Sequence, residues 1–187
     1  MLQPLVSQEY VSQSFNITSY DAKYNIPIKI IEDQDGFLWY TTHNGLVHEL
    51  GTHTFFYSLK TAPDEIIDIK NYTSLYEDGS GNIWVLSDTD IRKFNKRTQK
   101  VVSYKLTNPE NQSLLIPNSV TQLANGNIYF GTQLGYIVEL SASNDQLIYH
   151  NTQSQYSYEF STKIIGSRDN TLIAKSNNQI HSFIPKK

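Results

Sequence analysis

Residues 32–46 read EDQDGFLWYTTHNGL, and residues 77–91 read EDGSGNIWVLSDTDI. Each stretch joins an acidic turn to a glycine, a tryptophan and a second turn. Gly36, Gly81 and Gly126 lie 45 residues apart, as do Trp39, Trp84 and Tyr129. A weaker copy follows 44 residues on, with Asn170 at the glycine position and Ile173 at the aromatic one. Self-similarity at this period marks a repeat architecture, and propeller blades fall within the range.

Each copy reads as short strands separated by Asp, Asn and Gly turns. The first gives IKIIE (28–32), FLWYT (37–41), LVHEL (46–50) and TFFYSL (54–59). The second gives SLYE, NIWVL, IRKF and VVSYKL; the third gives SVTQL, NIYFG, YIVEL and QLIYH. No helical pattern separates any pair of strands, which disfavours a parallel βαβ sheet. The expected fold is all-β: a β-propeller of about four blades, each a four-stranded antiparallel sheet. The repeats are placed at 28–72, 73–117, 118–162 and 163–187. Trp39, Trp84 and Tyr129 are expected to fill the space between blades, where a large ring buries much area and its polar end finds a partner.

Composition narrows the function. The 187 residues carry a net charge of −3 and no cysteine. The scattered basic residues offer no stripe for nucleic acid, and NKRTQK at 95–100 reads as a solvated turn. Without cysteine, thiol catalysis, Cys-type zinc sites and disulfides are excluded. No apolar run reaches the roughly 20 residues of a membrane span. MLQPLVSQEY lacks the basic and apolar regions of a signal peptide.

The pattern E-D-x-x-G-x-[ILF]-W followed by T-x-x-G-L resembles the two-component regulator propeller repeat. Glu32, Asp33, Gly36, Trp39, Thr42, Gly45 and Leu46 match it in the first copy. Glu77, Asp78, Gly81 and Trp84 match in the second, where Asp90 replaces the second glycine. The third keeps Gly126, Thr132 and Gly135 but has Gln122 and Leu123 for the acidic pair. The fourth keeps only the hydrophobic skeleton. The resemblance implies the periplasmic, extracytoplasmic input domain of a hybrid two-component sensor, non-catalytic and binding an oligosaccharide or a protein partner. No kinase, receiver or DNA-binding segment accompanies it, and a membrane would be reached only through a transmembrane segment outside these residues. The rival readings are a propeller-fold carbohydrate-active enzyme and a pure protein-interaction scaffold.

The residues themselves nominate no catalytic group and no cofactor. Taking Asp33 as the first position of a calcium loop puts Asn44 at the twelfth, where a bidentate Glu is required. The S-x-D-x-G-x-x-W box of sialidase-type propellers fails at Gln34 and Ser80. His43, His48 and His53 are spaced by five, which sends alternate members of a strand to opposite faces, so no metal site is expected. Ligand contacts are expected instead in the turns between second and third strands: His43, Asn44, Asp88, Asp90, Gln133, Asn177 and Asn178.

Subtracting one period from TFFYSL lands within EYVSQSFNI, so residues 9–17 read as an orphan outer strand. The fourth repeat ends after its third strand. The two deficits are complementary: either residues 9–17 complete the fourth blade of the same chain in a small closed ring, or they pair with a second chain, and self-association through the terminal strands is the expectation favoured.

Overall fold

The computed structural model describes residues 26–51, 53–67, 69, 71–151, 162–167, 169–176 and 179–184. They contain fifteen strands and no helix. Blade 1 is β1 (Lys29–Glu32), β2 (Leu38–Thr42), β3 (Gly45–Leu50) and β4 (His53–Tyr57); blade 2 is β5 (Tyr72–Glu77), β6 (Asn82–Ser87), β7 (Ile91–Asn95) and β8 (Val101–Tyr104). Blade 3 is β9 (Pro117–Gln122), β10 (Ile128–Thr132), β11 (Tyr136–Leu140) and β12 (Leu147–Asn151). Blade 4 is β13 (Thr162–Gly166), β14 (Leu172–Ser176) and β15 (Gln179–Phe183). Each is an antiparallel meander in chain order, three of them four-stranded and the last three-stranded among the described residues. The chain is a β-propeller arc. The repeat starts expected at 73, 118 and 163 fall one residue inside β5, β9 and β13. The expected strand at 9–17 lies outside the described residues.

The first strands β1, β5, β9 and β13 lie side by side in that order, so they form the inner edge of the arc. Three apolar cores join successive blades. Trp39, Leu46 and Tyr72 lie between blades 1 and 2 with Ile83 and Phe94; Trp84, Ile91 and Phe130 lie between blades 2 and 3; Tyr129, Ile137 and Leu172 lie between blades 3 and 4. Every residue of β6 and β10 is buried, because a second strand is covered by blades on both faces. This is why those strands read as near-continuous apolar runs rather than as an alternation.

The repeated glycine has a backbone cause. Gly36, Gly81 and Gly126 adopt φ of 83°, 74° and 84°, and Asn170 takes 64° at the same place in blade 4. Asn is among the few side chains tolerated in this left-handed region. At Gly45 the constraint is spatial as well, since a Cβ would run into the Tyr57 carbonyl oxygen.

The acidic turn is the latch of the blade. Asp33 Oδ1 accepts the backbone N–H groups of Asp35 and Phe37, while Oδ2 accepts the Trp39 indole N–H at 2.8 Å. Asp78 repeats this with Ser80, Asn82 and Trp84, the indole bond being 2.7 Å. Where the third repeat has Leu123, the indole is also gone: Tyr129 takes its place, and its hydroxyl accepts from Asn125. In the fourth repeat the pair becomes Ser167 and Ile173.

The blades are also stitched along this end. Glu77 accepts the backbone N–H of Gln34 at 2.7 Å, and Gln122 accepts that of Gly79 at 2.7 Å. The first turns of blades 1 and 2 are thus each completed by the following blade, whereas blade 4 has Gly166 at this place. Lys96 departs from the solvated turn expected of NKRTQK. Its ammonium lies 3.0 Å from Asp33 Oδ2 and also pairs with Glu77, tying blade 2 to blade 1. Burial alone would raise the Asp33 carboxyl, but the Phe37 and Trp39 hydrogen bonds and Lys96 bring it down to about 2.

Candidate functional site: a cleft between blades 1 and 2

The turns between second and third strands and the connections between blades share one end of the arc. Backbone bonds of the same type fix them: Asp88 N–H to the Asn71 carbonyl and Gln133 N–H to the Ile116 carbonyl. Between blades 1 and 2 this end opens into a cleft of about 470 Å³. One wall is the β2–β3 turn with His43 and Asn44; the other is the 58–69 connection with Lys60, Asp64 and Ile67, and Tyr72 contributes from the start of β5. Across the 58–63 segment a second depression of about 400 Å³ lies beside Phe56 and Phe94.

The connection is shaped by an ion-pair network centred on a buried arginine. Arg92, the second residue of β7, holds Glu65 and Asp90, each at 2.7 Å, and donates to the Leu59 carbonyl. Glu65 in turn accepts the backbone N–H and hydroxyl of Thr61. The Arg92 guanidinium, then Thr61, draw the Glu65 carboxyl down to about 2. Burial alone would lower Arg92, but its two carboxylates raise it above its ordinary value. Burial pushes the Tyr72 hydroxyl up to about 12, so it stays protonated as a neutral donor. The cleft therefore combines a fixed Glu65 carboxylate, apolar side chains of the connection and an exposed polar rim. Glu65 is ionised and fully engaged, which suits positioning rather than proton transfer.

The expected site residues separate into groups. His43 and Asn44 are exposed and line the cleft. Asp88 is half-buried, tied through Oδ2 to the Asn71 amide. Asp90 is buried, and Arg92, Ser87 and Ser103 occupy its carboxylate. Gln133 is exposed on the blade 3 turn. None of these three lines the cleft. Asn177 and Asn178 lie outside the described residues. His48 stacks on Trp39 with ring centroids 3.9 Å apart, and burial lowers its pKa. Among the described residues no group of three or more His, Asp or Glu side chains converges as a metal site would need.

The 58–69 wall reads in the sequence only as a connection between blades, because these connections share a position in the repeat but little of their sequence. Arg92 stands beside Lys93 in IRKFN, and nothing in that strand's sequence marks it as the buried member of the pair.

No family model matches the chain, and no curated protein matches it by sequence. Solved structures do. A catalytically inactive H270A virginiamycin B lyase from Staphylococcus aureus, crystallised with quinupristin, is 20% identical, with a TM-score of 0.62 over 85% of this chain and 55% of that one. The extracellular domain assigned to a hybrid two-component system of B. thetaiotaomicron is 22% identical, with a TM-score of 0.54 over 87% of this chain and 25% of that one. The β-propeller domain of Swd1 from Myceliophteria thermophila is 17% identical, with a TM-score of 0.64 over 89% of this chain and 55% of that one. At these identities the likeness is one of fold. The chain spans about half the length of the first and third and a quarter of the second.

Proposed function

We propose that the chain is a non-catalytic, extracytoplasmic sensor module that binds an oligosaccharide in the cleft between blades 1 and 2. The observation that carries this reading is the cleft itself: an exposed His43–Asn44 rim faces Lys60 and Asp64 across an apolar wall that ends on Tyr72. Hydroxyl-rich ligands suit such a rim, which offers both donors and acceptors, and the adjacent apolar side chains of Ile66, Ile67 and Ile69 take a sugar's C–H face. The resemblance of the first repeat to the two-component regulator propeller motif, and the occurrence of the fold in an extracellular domain of that signalling class, support the sensor assignment. Within the motif, Asp33, Gly36, Trp39 and Gly45 are consumed by the blade's own architecture, which leaves recognition to the loops.

Thermal-shift and calorimetric titration against a panel of oligosaccharides tests the reading. A saccharide that raises the melting temperature and is recovered unchanged supports it, provided His43→Ala with Lys60→Ala abolishes the shift. Recovery of a cleaved product would instead favour a propeller enzyme.

A further inference from the structure

Tyr72 occupies a place in the repeat that neighbouring blades fill without a polar side chain. One period before it stands Pro27 and one period after it Pro117, each at or just before the start of a first strand. Pro117 is buried, so the fold asks for bulk here and not for a hydroxyl. The Tyr72 ring supplies that bulk within the core that also holds Leu46, Leu59 and Phe94. A bulge in the β5–β6 pairing falls between Tyr72 and Ser74, and bulges re-aim the side chains beside them.

The hydroxyl has no use inside the fold. Tyr72 is only 6% exposed and lines the cleft, yet its hydroxyl makes no hydrogen bond among the described residues. The side-chain atoms sealed from solvent without a partner among those residues are His48 Nε2, Asp88 Oδ1, Arg92 Nε and Asn170 Oδ1. The Tyr72 hydroxyl is not one of them, so it still meets solvent, and the cleft is the opening that Tyr72 lines. A site built around such a group refuses ligands that would leave it unpaired.

Charge narrows what can reach it. Lys60 and Arg92 are outnumbered by the carboxylates of Asp64, Glu65 and Asp90, the last two of which share Arg92. Arg92 and Asp90 also act on the Tyr72 hydroxyl in opposite senses, so no uncompensated cation is aimed at it. A phenolic hydroxyl both donates and accepts, which matches a sugar hydroxyl, whereas a carboxylate uses only the donor half.

From the open hydroxyl and the excess of carboxylates we infer that Tyr72 is the specificity-determining residue of the cleft, that it exchanges hydrogen bonds with a hydroxyl of a neutral saccharide, and that uronic acids are rejected. The assignment rests on saccharide binding in the cleft and adds to it the group that is read and the class of sugar refused.

Calorimetry at about pH 8 tests this, using tetrasaccharides of glucose, mannose and galactose and the same compounds oxidised at C6 to uronates. At least one neutral tetrasaccharide is expected to bind. Its oxidised counterpart is expected to bind at least about tenfold more weakly, by a margin that shrinks as salt rises. Tyr72→Phe removes a single oxygen and is expected to weaken the neutral ligand at least about tenfold at every salt concentration. Without ligand, the same variant should melt no lower than the wild type, because no bond within the protein is lost. A lower melting temperature for ligand-free Tyr72→Phe shows that the hydroxyl has a structural partner and overturns the inference. Unchanged affinity in Tyr72→Phe, or uronates that bind as tightly as their neutral counterparts, overturns it as well. If binding is then still lost in His43→Ala with Lys60→Ala, the cleft stands as a saccharide site and only the role of Tyr72 falls. Binding by no tetrasaccharide of either kind overturns both.

Discussion

Lys96, in the β7–β8 turn of blade 2, places its ammonium 3.0 Å from the buried Asp33 carboxylate of blade 1. The same carboxylate holds the Trp39 indole, so one cation across the blade boundary stabilises the latch of the preceding blade. Lys96→Met is expected to leave Asp33 and Glu77 as close carboxylates without a counter-charge. A loss of about 2–3 kcal/mol follows from the worth of hydrogen bonds to charged groups, read from urea unfolding at neutral pH. Arg97→Met, one residue on, serves as the control and should cost little.

Acid should loosen the same contacts. The folded-state values of Asp33 and Glu65, about 2 each, lie below the ordinary 3.8 and 4.5. Their contribution is complete above about pH 5, shrinks as pH falls through the ordinary values, and is gone near pH 2. Urea midpoints should be flat from neutral pH to about 5 and then fall. Asp33→Asn should lower the neutral plateau and flatten the descent. For the partly exposed Glu65, solvent screening makes the effect of Glu65→Gln smaller.

The Asp78–Trp84 pair is accessible to a double-mutant cycle. Trp84→Phe removes the indole donor but keeps most of the apolar volume, and Asp78→Asn removes the charge. Each is expected to cost about 1–3 kcal/mol, with the double variant costing less than their sum because both break one bond. Trp84→Ala should cost about 3–5 kcal/mol, the usual consequence of emptying a buried aromatic site. Additive single effects would show that the bond contributes nothing to the folded state.

Asn170 is a position that can be improved. It holds a left-handed conformation, φ 64°, and its buried side-chain oxygen finds no hydrogen-bond partner among the described residues. Asn170→Gly restores the residue found at Gly36, Gly81 and Gly126, and should raise stability by about 0.5–1 kcal/mol. Asn170→Ala, which keeps a Cβ in that region, should lower it.

Glu65 clamps the cleft wall to Arg92. With Glu65→Ala the 58–67 segment loses its anchor, and tryptic cleavage after Lys60 should accelerate several-fold. The melting temperature should fall only modestly, because Trp39, Leu46 and Phe94 remain packed. Equal protection in the two proteins would mean that the connection is held by something other than this pair.

The strands were legible because they repeat. Gly36, Gly81 and Gly126 mark a backbone requirement that each blade meets in the same way, and Trp39, Trp84 and Tyr129 mark the recurring inter-blade space. The partners of those residues were not legible. Asp33 and Asp78 read as generic turn acids, although they are the acceptors of the buried indoles six residues on. Lys96 read as solvated because its partner stands 63 residues earlier, across a boundary that no local pattern reveals. In the candidate site, His43 and Asn44 followed from their turn position. The opposite wall at 58–69 shares little sequence with the other connections, and its fold is set by Arg92 from another strand. Asp90 reads as a ligand contact from its turn position, whereas its carboxylate is taken by the Arg92 guanidinium.

Completion of the first turns of blades 1 and 2 by the next blade bears on how such a chain can be cut and recombined. Splitting between blades 1 and 2 would strand the Gln34 amide without Glu77, and splitting between blades 2 and 3 would strand Gly79 without Gln122. The sequence repeat and the self-sufficient module are therefore out of phase. A blade transplanted at its own boundaries arrives with an open turn and a spare acceptor, and it fits only a host whose neighbouring blades offer the matching halves. Shuffling libraries for this architecture should exchange adjacent blades in pairs.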